Sequence, residues 1–389
     1  MRYLTPILLM LALVAPTQLQ DYMDRAVEDF TGAVLVMQGG DVLLDEAYGQ
    51  DAAGIPITTA TVFDVGSISK QFTAAAVLHL QQRGLLSVDD SIAAHLPDVP
   101  AEKSDITIHH LLTHTAGFRA SHFDDDLTPL SAEEALAAIY ALPLRWEPGT
   151  HYHYSNTGYT LLALMVQTVS GEPFTQYMHT HLFEPAGMTH SGFYGEPQWA
   201  GQHVAHTMLN GRTQGSPADW PGPYWGVLGN GGVLSTTSDL LRWVQALDAG
   251  TVLAPDQVEA FWTPYVSEGE GSDFFYAYGW VTYEAEQGTV VEHNGGGIGG
   301  NSHLTMVHGP ALVVIVTSSA IVYRPPLELR FPASELAQQL VINILTEDFS
   351  RLPRPTLVLY PVLAGLLAVI GLGVGFVVWR RRRRAAESS

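Results

Sequence analysis

The sequence predicts an α+β protein in which strands from both ends of the chain share one antiparallel sheet. Two β-rich runs, 33–37 and 42–48, flank Gln38-Gly39-Gly40-Asp41, which is a hairpin signal. Further strand-like runs at 279–283, 289–293, 301–307 and 311–318 lie near the other end, giving about five antiparallel strands in all. Between the two groups, roughly residues 87–263 read as helices and loops punctuated by Pro97, Pro100, Pro143, Pro148-Gly149, Pro185 and Pro221-Gly222-Pro223, so a helical subdomain is expected there.

Taken in order, residues 1–20 open with Arg2 and continue through an apolar run at 4–14, the shape of a cleavable secretory signal. After the hairpin, a loop delivers the chain to Gly66-Ser67-Ile68-Ser69-Lys70. Residues 71–83 then read as a helix: Ile68, Phe72, Ala75, Ala76 and Leu80 form an apolar stripe, and Gly84 suits its C-terminal cap. His110 and His114 stand at the spacing of helical zinc ligands, but no glutamate lies between them, so they read as buried, hydrogen-bonded histidines and no metal is expected. His151, His153, His179 and His181 read the same way. Residues 159–170 follow as a helix and 334–345 as an amphipathic helix.

Residues 357–379 carry no charge, and at about 1.5 Å per residue they are long enough to cross roughly 30 Å of hydrocarbon. The five arginines at 380–384 follow directly. The expectation is a single-pass C-terminal transmembrane helix, a cytoplasmic tail at 380–389, and an extracytoplasmic (periplasmic or extracellular) domain at 21–350 held at the cell membrane. A removable cell-wall sorting signal is the rival reading, since Leu352-Pro353-Arg354-Pro355-Thr356 faintly resembles a sortase motif.

Composition narrows the chemistry. At 389 residues with 47% hydrophobic content, the chain can bury a large core. It has no cysteine, which excludes a disulfide scaffold, a thiol nucleophile and cysteine-ligated zinc. A net charge of −21 excludes a nucleic-acid partner and favours neutral or cationic ones. The only lysines are Lys70 and Lys103, so a lysine retained beside Ser67 stands out.

Three short motifs carry the candidate chemistry. Ser67 and Lys70 sit three apart at a helix start, on one face, so the amine can reach the hydroxyl and take its proton. Tyr154-Ser155-Asn156 precedes the 159–170 helix; a phenol two residues from an amide can relay a proton while the amide binds a substrate carbonyl and the lysine. His293-Asn294-Gly295-Gly296 ends a strand, where glycine admits close approach and the Gly296 N–H can join that of Ser67 as an oxyanion hole. Alone, each has a structural reading: an amphipathic helix, an N-cap and a glycine-rich hairpin.

In the order S-x-x-K, Y-x-N, H-x-G, the chain resembles the serine β-lactamase and penicillin-binding-protein superfamily. It is most similar to the class C-like branch of β-lactamase-related hydrolases, D-Ala-D-Ala carboxypeptidases, D-aminopeptidases and family VIII esterases. The stretches 65–73, 111–117, 154–159, 185–188, 231–236 and 293–296 carry the resemblance, which covers roughly residues 30–345. It implies a five-stranded antiparallel sheet flanked by helices, an all-helical subdomain, and a site in the cleft between them. By the same resemblance Ser67 is the acylated nucleophile, Lys70 its base and Tyr154 the proton relay. Asn156, His293, Gly295 and Gly296 bind substrate, with His293 in place of the third-motif lysine, and no cofactor is needed. A small peptide, ester or β-lactam is the implied substrate. Because a histidine there carries no fixed charge at neutral pH, D-amino-acid peptides or esters are expected over penicillins. A non-turnover penicillin-binding sensor or scaffold is the alternative.

Overall fold

Strands from the two ends of the chain meet in one sheet. The computed structural model describes residues 14–353 apart from 29, 120–126, 221, 223 and 325–327. In chain order the elements are α1 (Pro16–Ala26), β1 (Gly32–Gln38), β2 (Asp41–Tyr48), β3 (Phe63–Asp64), α2 (Ser69–Gln82), α3 (Ile108–Leu112), α4 (Ala132–Ala141), α5 (Asn156–Ser170) and α6 (Phe174–Met178). They continue as β4 (Gly192–Phe193), β5 (Thr207–Leu209), β6 (Arg212–Gly215), β7 (Val233–Ser235), α7 (Thr237–Asp248), α8 (Pro255–Trp262), β8 (Val266–Ser267) and β9 (Phe275–Tyr276). Last come β10 (Val281–Ala285), β11 (Gly288–Gly296), β12 (Asn301–Val307), β13 (Leu312–Ser318), β14 (Ala320–Arg324), β15 (Glu328–Arg330) and α9 (Pro332–Thr346).

The α+β reading holds, but the expected five-stranded sheet is corrected. The main sheet has eight strands in the order β2-β1-β13-β12-β11-β10-β9-β8. Its excess over expectation comes chiefly from β8 and β9, two-residue strands too short to display period-two alternation. The region 87–263 is likewise not all-helical. It holds β4 to β7, which build a three-stranded sheet β3-β7-β4 and part of a four-stranded one, β15-β14-β5-β6.

Period two accounts for the packing of the main sheet. In β1, Leu35 and Met37 face the helices α2, α5 and α7, whereas Val34 and Val36 face α1 and α9. Both faces are therefore covered, and the strand reads as one unbroken apolar run. Helix α2 lies inside the larger core and is buried on nearly all sides, beyond the single stripe expected of it. It stops where Gly84 takes a left-handed φ of 70°, with Leu85 N–H donating to the Leu80 carbonyl at 3.1 Å.

Helix α1 begins at Pro16, inside the expected leader at 1–20, and packs into the second core through Leu19, Tyr22 and Met23. The expected membrane helix is not among the elements described: no helix of the described residues is long and apolar enough to cross a membrane, and the run at 357–379 lies outside them, as do residues 1–13 and the arginines at 380–384.

Candidate active site

Ser67 occupies a 3-10 turn, Gly66–Ile68, that feeds directly into α2. Gly66 has a φ of 53°, and a Cβ built there would lie 2.6 Å from the Gly296 carbonyl carbon, so the turn and the end of β11 touch backbone to backbone. Ser69 pins the turn from below: its hydroxyl donates to the Gly66 carbonyl at 2.6 Å and accepts from Val233 N–H at 3.2 Å.

Lys70, with no exposed surface, points its Nζ at three oxygens. It donates to Ser67 Oγ at 3.1 Å, Asn156 Oδ1 at 2.9 Å and the Asn230 carbonyl at 2.7 Å. The Tyr154 and Tyr159 ring centroids lie 4.8 and 5.7 Å from the Nζ. Asn230 is fixed in turn, its Nδ2 donating to Thr160 Oγ1 and the Gly226 carbonyl.

The second motif enters at the N-terminus of α5. Ser155 is extended and caps the helix, its hydroxyl accepting from Gly158 N–H at 3.4 Å, so the N-cap reading is true of Ser155 while Asn156 reaches the lysine. Burial raises the Tyr154 phenol above its usual pKa; the Ser67 hydroxyl hydrogen-bonded to it lowers the value and the charge of Glu268 adds to the rise. Tyr154 thus stays protonated at neutral pH and touches the Ser67 hydroxyl.

The third motif supplies a backbone donor. Gly297 N–H donates to the Gly300 carbonyl, making 297 and 300 a hydrogen-bonded pair. The preceding pair, Gly296 opposite Asn301, is then of the other kind, and Gly296 turns its N–H away from β12. On that side β10 has already ended, its pairing with β11 stopping at Glu292, and the Ser67 turn takes its place. Gly295 is required by contact: a Cβ there would fall 1.9 Å from the Val65 carbonyl oxygen.

His293 lies in the wall of the site. It is buried, with Nδ1 donating to the Asn294 carbonyl at 2.6 Å and Nε2 facing the Tyr276 hydroxyl at 3.1 Å. Both ring nitrogens are committed inside the protein. Burial, with the nearby Lys70 charge and His303, pushes its pKa down to about 3, against the opposing pull of the Asn294 carbonyl. The ring is therefore a neutral part of the wall and supplies no cation for a substrate carboxylate.

Ser67, Lys70, Tyr154, Asn156, Gly295, Gly296 and His293 are thus brought together, with His293 behind the others. Missed from sequence were the Asn230 carbonyl, which as backbone leaves no side-chain signal, and Tyr276, which lies in the two-residue β9. His114 was read only as a buried histidine. It is packed 4.4 Å from both the Tyr154 and Tyr276 rings, accepts from Ser155 N–H through Nδ1, and has no partner for Nε2 among the described residues. Its left-handed φ of 61° comes after α3 has ended, so His110 and His114 do not share a helix face. Among the described residues no cluster of three or more histidines and carboxylates could hold a metal ion.

The family model described as Beta-lactamase matches residues 19–333. Penicillin-binding protein 4* of Bacillus subtilis (strain 168) is 31% identical over 294 residues, 69% of this chain and 63% of its own length. The putative penicillin-binding protein PbpX of the same organism is 30% identical over 256 residues, 64% of this chain and 63% of its own length. This chain therefore spans less than two thirds of these curated relatives. Among solved structures, a penicillin-binding protein from Bacillus halodurans aligns with a TM-score of 0.67 at 27% identity, covering 77% of this chain and 94% of that one. A beta-lactamase/D-alanine carboxypeptidase from Pseudomonas syringae shares the fold, with a TM-score of 0.71 at 20% identity over 85% of this chain and 98% of that one.

Proposed function

The chain belongs to the beta-lactamase family, and from that premise we propose that it is a serine hydrolase acting through an acyl-enzyme on Ser67. The observation that carries the reading is the buried Lys70 Nζ, 3.1 Å from Ser67 Oγ and held there by Asn156 and the Asn230 carbonyl. Lys70 takes the serine proton as Oγ attacks the substrate carbonyl carbon. The resulting oxyanion is met by the N–H groups of Ser67 and Gly296. Tyr154 gives its proton to the leaving amine or alcohol and recovers one from Lys70, leaving an ester on Ser67. Water then attacks that ester as Lys70, through Tyr154, takes its proton; the carbon–Oγ bond breaks, the proton returns to Ser67 Oγ and the acid is released.

Short peptides containing a D-amino acid, or esters, are the substrates proposed, with penicillin turnover weak or absent. His293 supports this, since a ring occupied by Asn294 and Tyr276 offers no charge to a β-lactam carboxylate. The test is intact-protein mass after incubation with a fluorophosphonate and with a fluorescent penicillin, followed by turnover of an aryl ester and a D-alanyl peptide. Covalent mass that disappears in Ser67→Ala, with multiple turnover by the wild type, is the expected result. Turnover surviving Ser67→Ala overturns the reading, and labelling without turnover makes the protein a penicillin-binding sensor.

A further inference from the structure

The two N–H donors assigned to the oxyanion come from distant parts of the chain, and one buried carboxylate lies between their supports. Asp64, 1% exposed, ends β3 directly before the nucleophile turn. Its Oδ1 accepts from Gly66 N–H at 3.0 Å, one residue before the Ser67 donor. Its Oδ2 accepts from Ile298 N–H at 3.2 Å, two residues after the Gly296 donor. The Tyr194 hydroxyl is its third partner. The loop is shaped to this group: a Cβ at Gly297 would sit 1.9 Å from Asp64 Oδ2, and one at Gly300 would come 3.0 Å from the Asp64 carbonyl.

We propose that Asp64 is a positioning residue that sets the spacing of the oxyanion hole by tying the Ser67 turn to the glycine loop after β11. This rests on the acyl-enzyme reading above. Main-chain donors are selective for an oxyanion only if their separation is fixed before it forms. No other side chain holds both segments by hydrogen bonds to backbone N–H groups on each among the described residues. Replacing one carboxylate oxygen by an amide NH2 sets a donor against a backbone N–H and releases one of the two segments. Burial pushes the carboxyl pKa up to about 6, against the pull of the Gly66, Tyr194 and Ile298 donors, so at pH 8 it is ionised and accepts from all three.

The experiment compares wild type, Asp64→Asn, Gly297→Ala and Ser67→Ala at pH 8, with active sites counted by fluorophosphonate labelling carried to completion. Loss of one oxyanion donor costs on the order of 10²- to 10³-fold in kcat, so misplacing a pair should cost at least about tenfold per titrated site, with KM for an aryl ester within about threefold. The inhibition constant of phenylboronic acid, whose tetrahedral adduct on Ser67 occupies the same hole, should rise by the same factor as kcat falls. Gly297→Ala leaves the carboxylate in place but forces it aside, and the same pattern is expected from it. It also decides the matter if Asp64→Asn does not fold. A kcat per titrated site within about twofold of wild type, or a loss confined to the number of titratable sites, overturns the proposal. Activity retained by Ser67→Ala would instead remove the serine reading itself.

Discussion

Replacing Lys70 by arginine separates a base from a mere cation. The Nζ has no exposed surface and meets three oxygens at 2.7 to 3.1 Å, so charge, position and hydrogen bonding all converge on one atom. If its work is to take the Ser67 proton, a guanidinium cannot substitute, because it does not give up a proton near neutral pH. General base catalysis is worth about 10²- to 10⁴-fold, or roughly 3 to 5 kcal/mol of barrier. Lys70→Arg and Lys70→Ala should therefore lose about the same factor in kcat/KM for an aryl ester, within that range. Stability will not follow rate. Lys70→Met strands Asn156 Oδ1 and the Asn230 carbonyl at about 1 to 3 kcal/mol each, offset by removal of a fully buried amine. The assay is steady-state hydrolysis normalised to folded protein, with urea denaturation of each variant alongside. An arginine variant keeping more than about one tenth of wild-type kcat/KM would refute the base assignment and shift it to Tyr154.

His293 gives a pH signature in stability. Its folded pKa is pushed down to about 3 from 6.5, so as pH falls the unfolded chain binds the proton first. The stability it contributes is fully present above pH 6.5 and is lost as pH falls toward 3; the midpoint of urea unfolding should drop more steeply between pH 7 and 4 in wild type than in His293→Gln, and equal slopes would refute the assignment. For the same reason kcat/KM should show no limb from this ring between about pH 5 and 9. Leu19 tests the packing of α1: it is fully buried in the second core, so Leu19→Ala should cost about 2 to 5 kcal/mol by the same urea titration, whereas an effect under about 0.5 kcal/mol would refute that packing.

What was legible in the sequence was what is local. Ser67 and Lys70 lie within one helical turn, and the spacing alone set amine against hydroxyl. Ser155 as an N-cap and Gly84 as a helix stop were readable because each acts on its own neighbours. Strand content was readable for β1, β2 and β10 to β13, where runs are long enough to show a pattern, and not for β8 and β9. The hydrogen bond of His293 to Tyr276 was not readable, because β9 and β11 are two positions apart in the sheet with β10 between them. His110 and His114 were readable as hydrogen-bonded histidines rather than metal ligands, although the i, i+4 spacing assumes a continuing helix and α3 ends at Leu112.

The register of β1 with β13, Gly32 opposite Ser318, means that the first long strand made waits for nearly the last before it has its second neighbour. Ser67 and Gly296 flank the whole helical insertion, so on a ribosome the candidate site does not exist until almost the entire domain has emerged. Closing such a loop is slow, because the entropy is lost before the contacts form. A partly synthesised chain therefore lacks the assembled Ser67 and Gly296 site. The same closure sets the ends of the fold side by side: Arg25 donates to the Phe349 carbonyl at 3.0 Å, and the Tyr22 and Phe349 rings meet edge to face. Joining these ends and opening the exposed turn at 269–271 would make the β1–β13 pairing a short-range event, giving a permutant that folds faster around an unmoved Ser67.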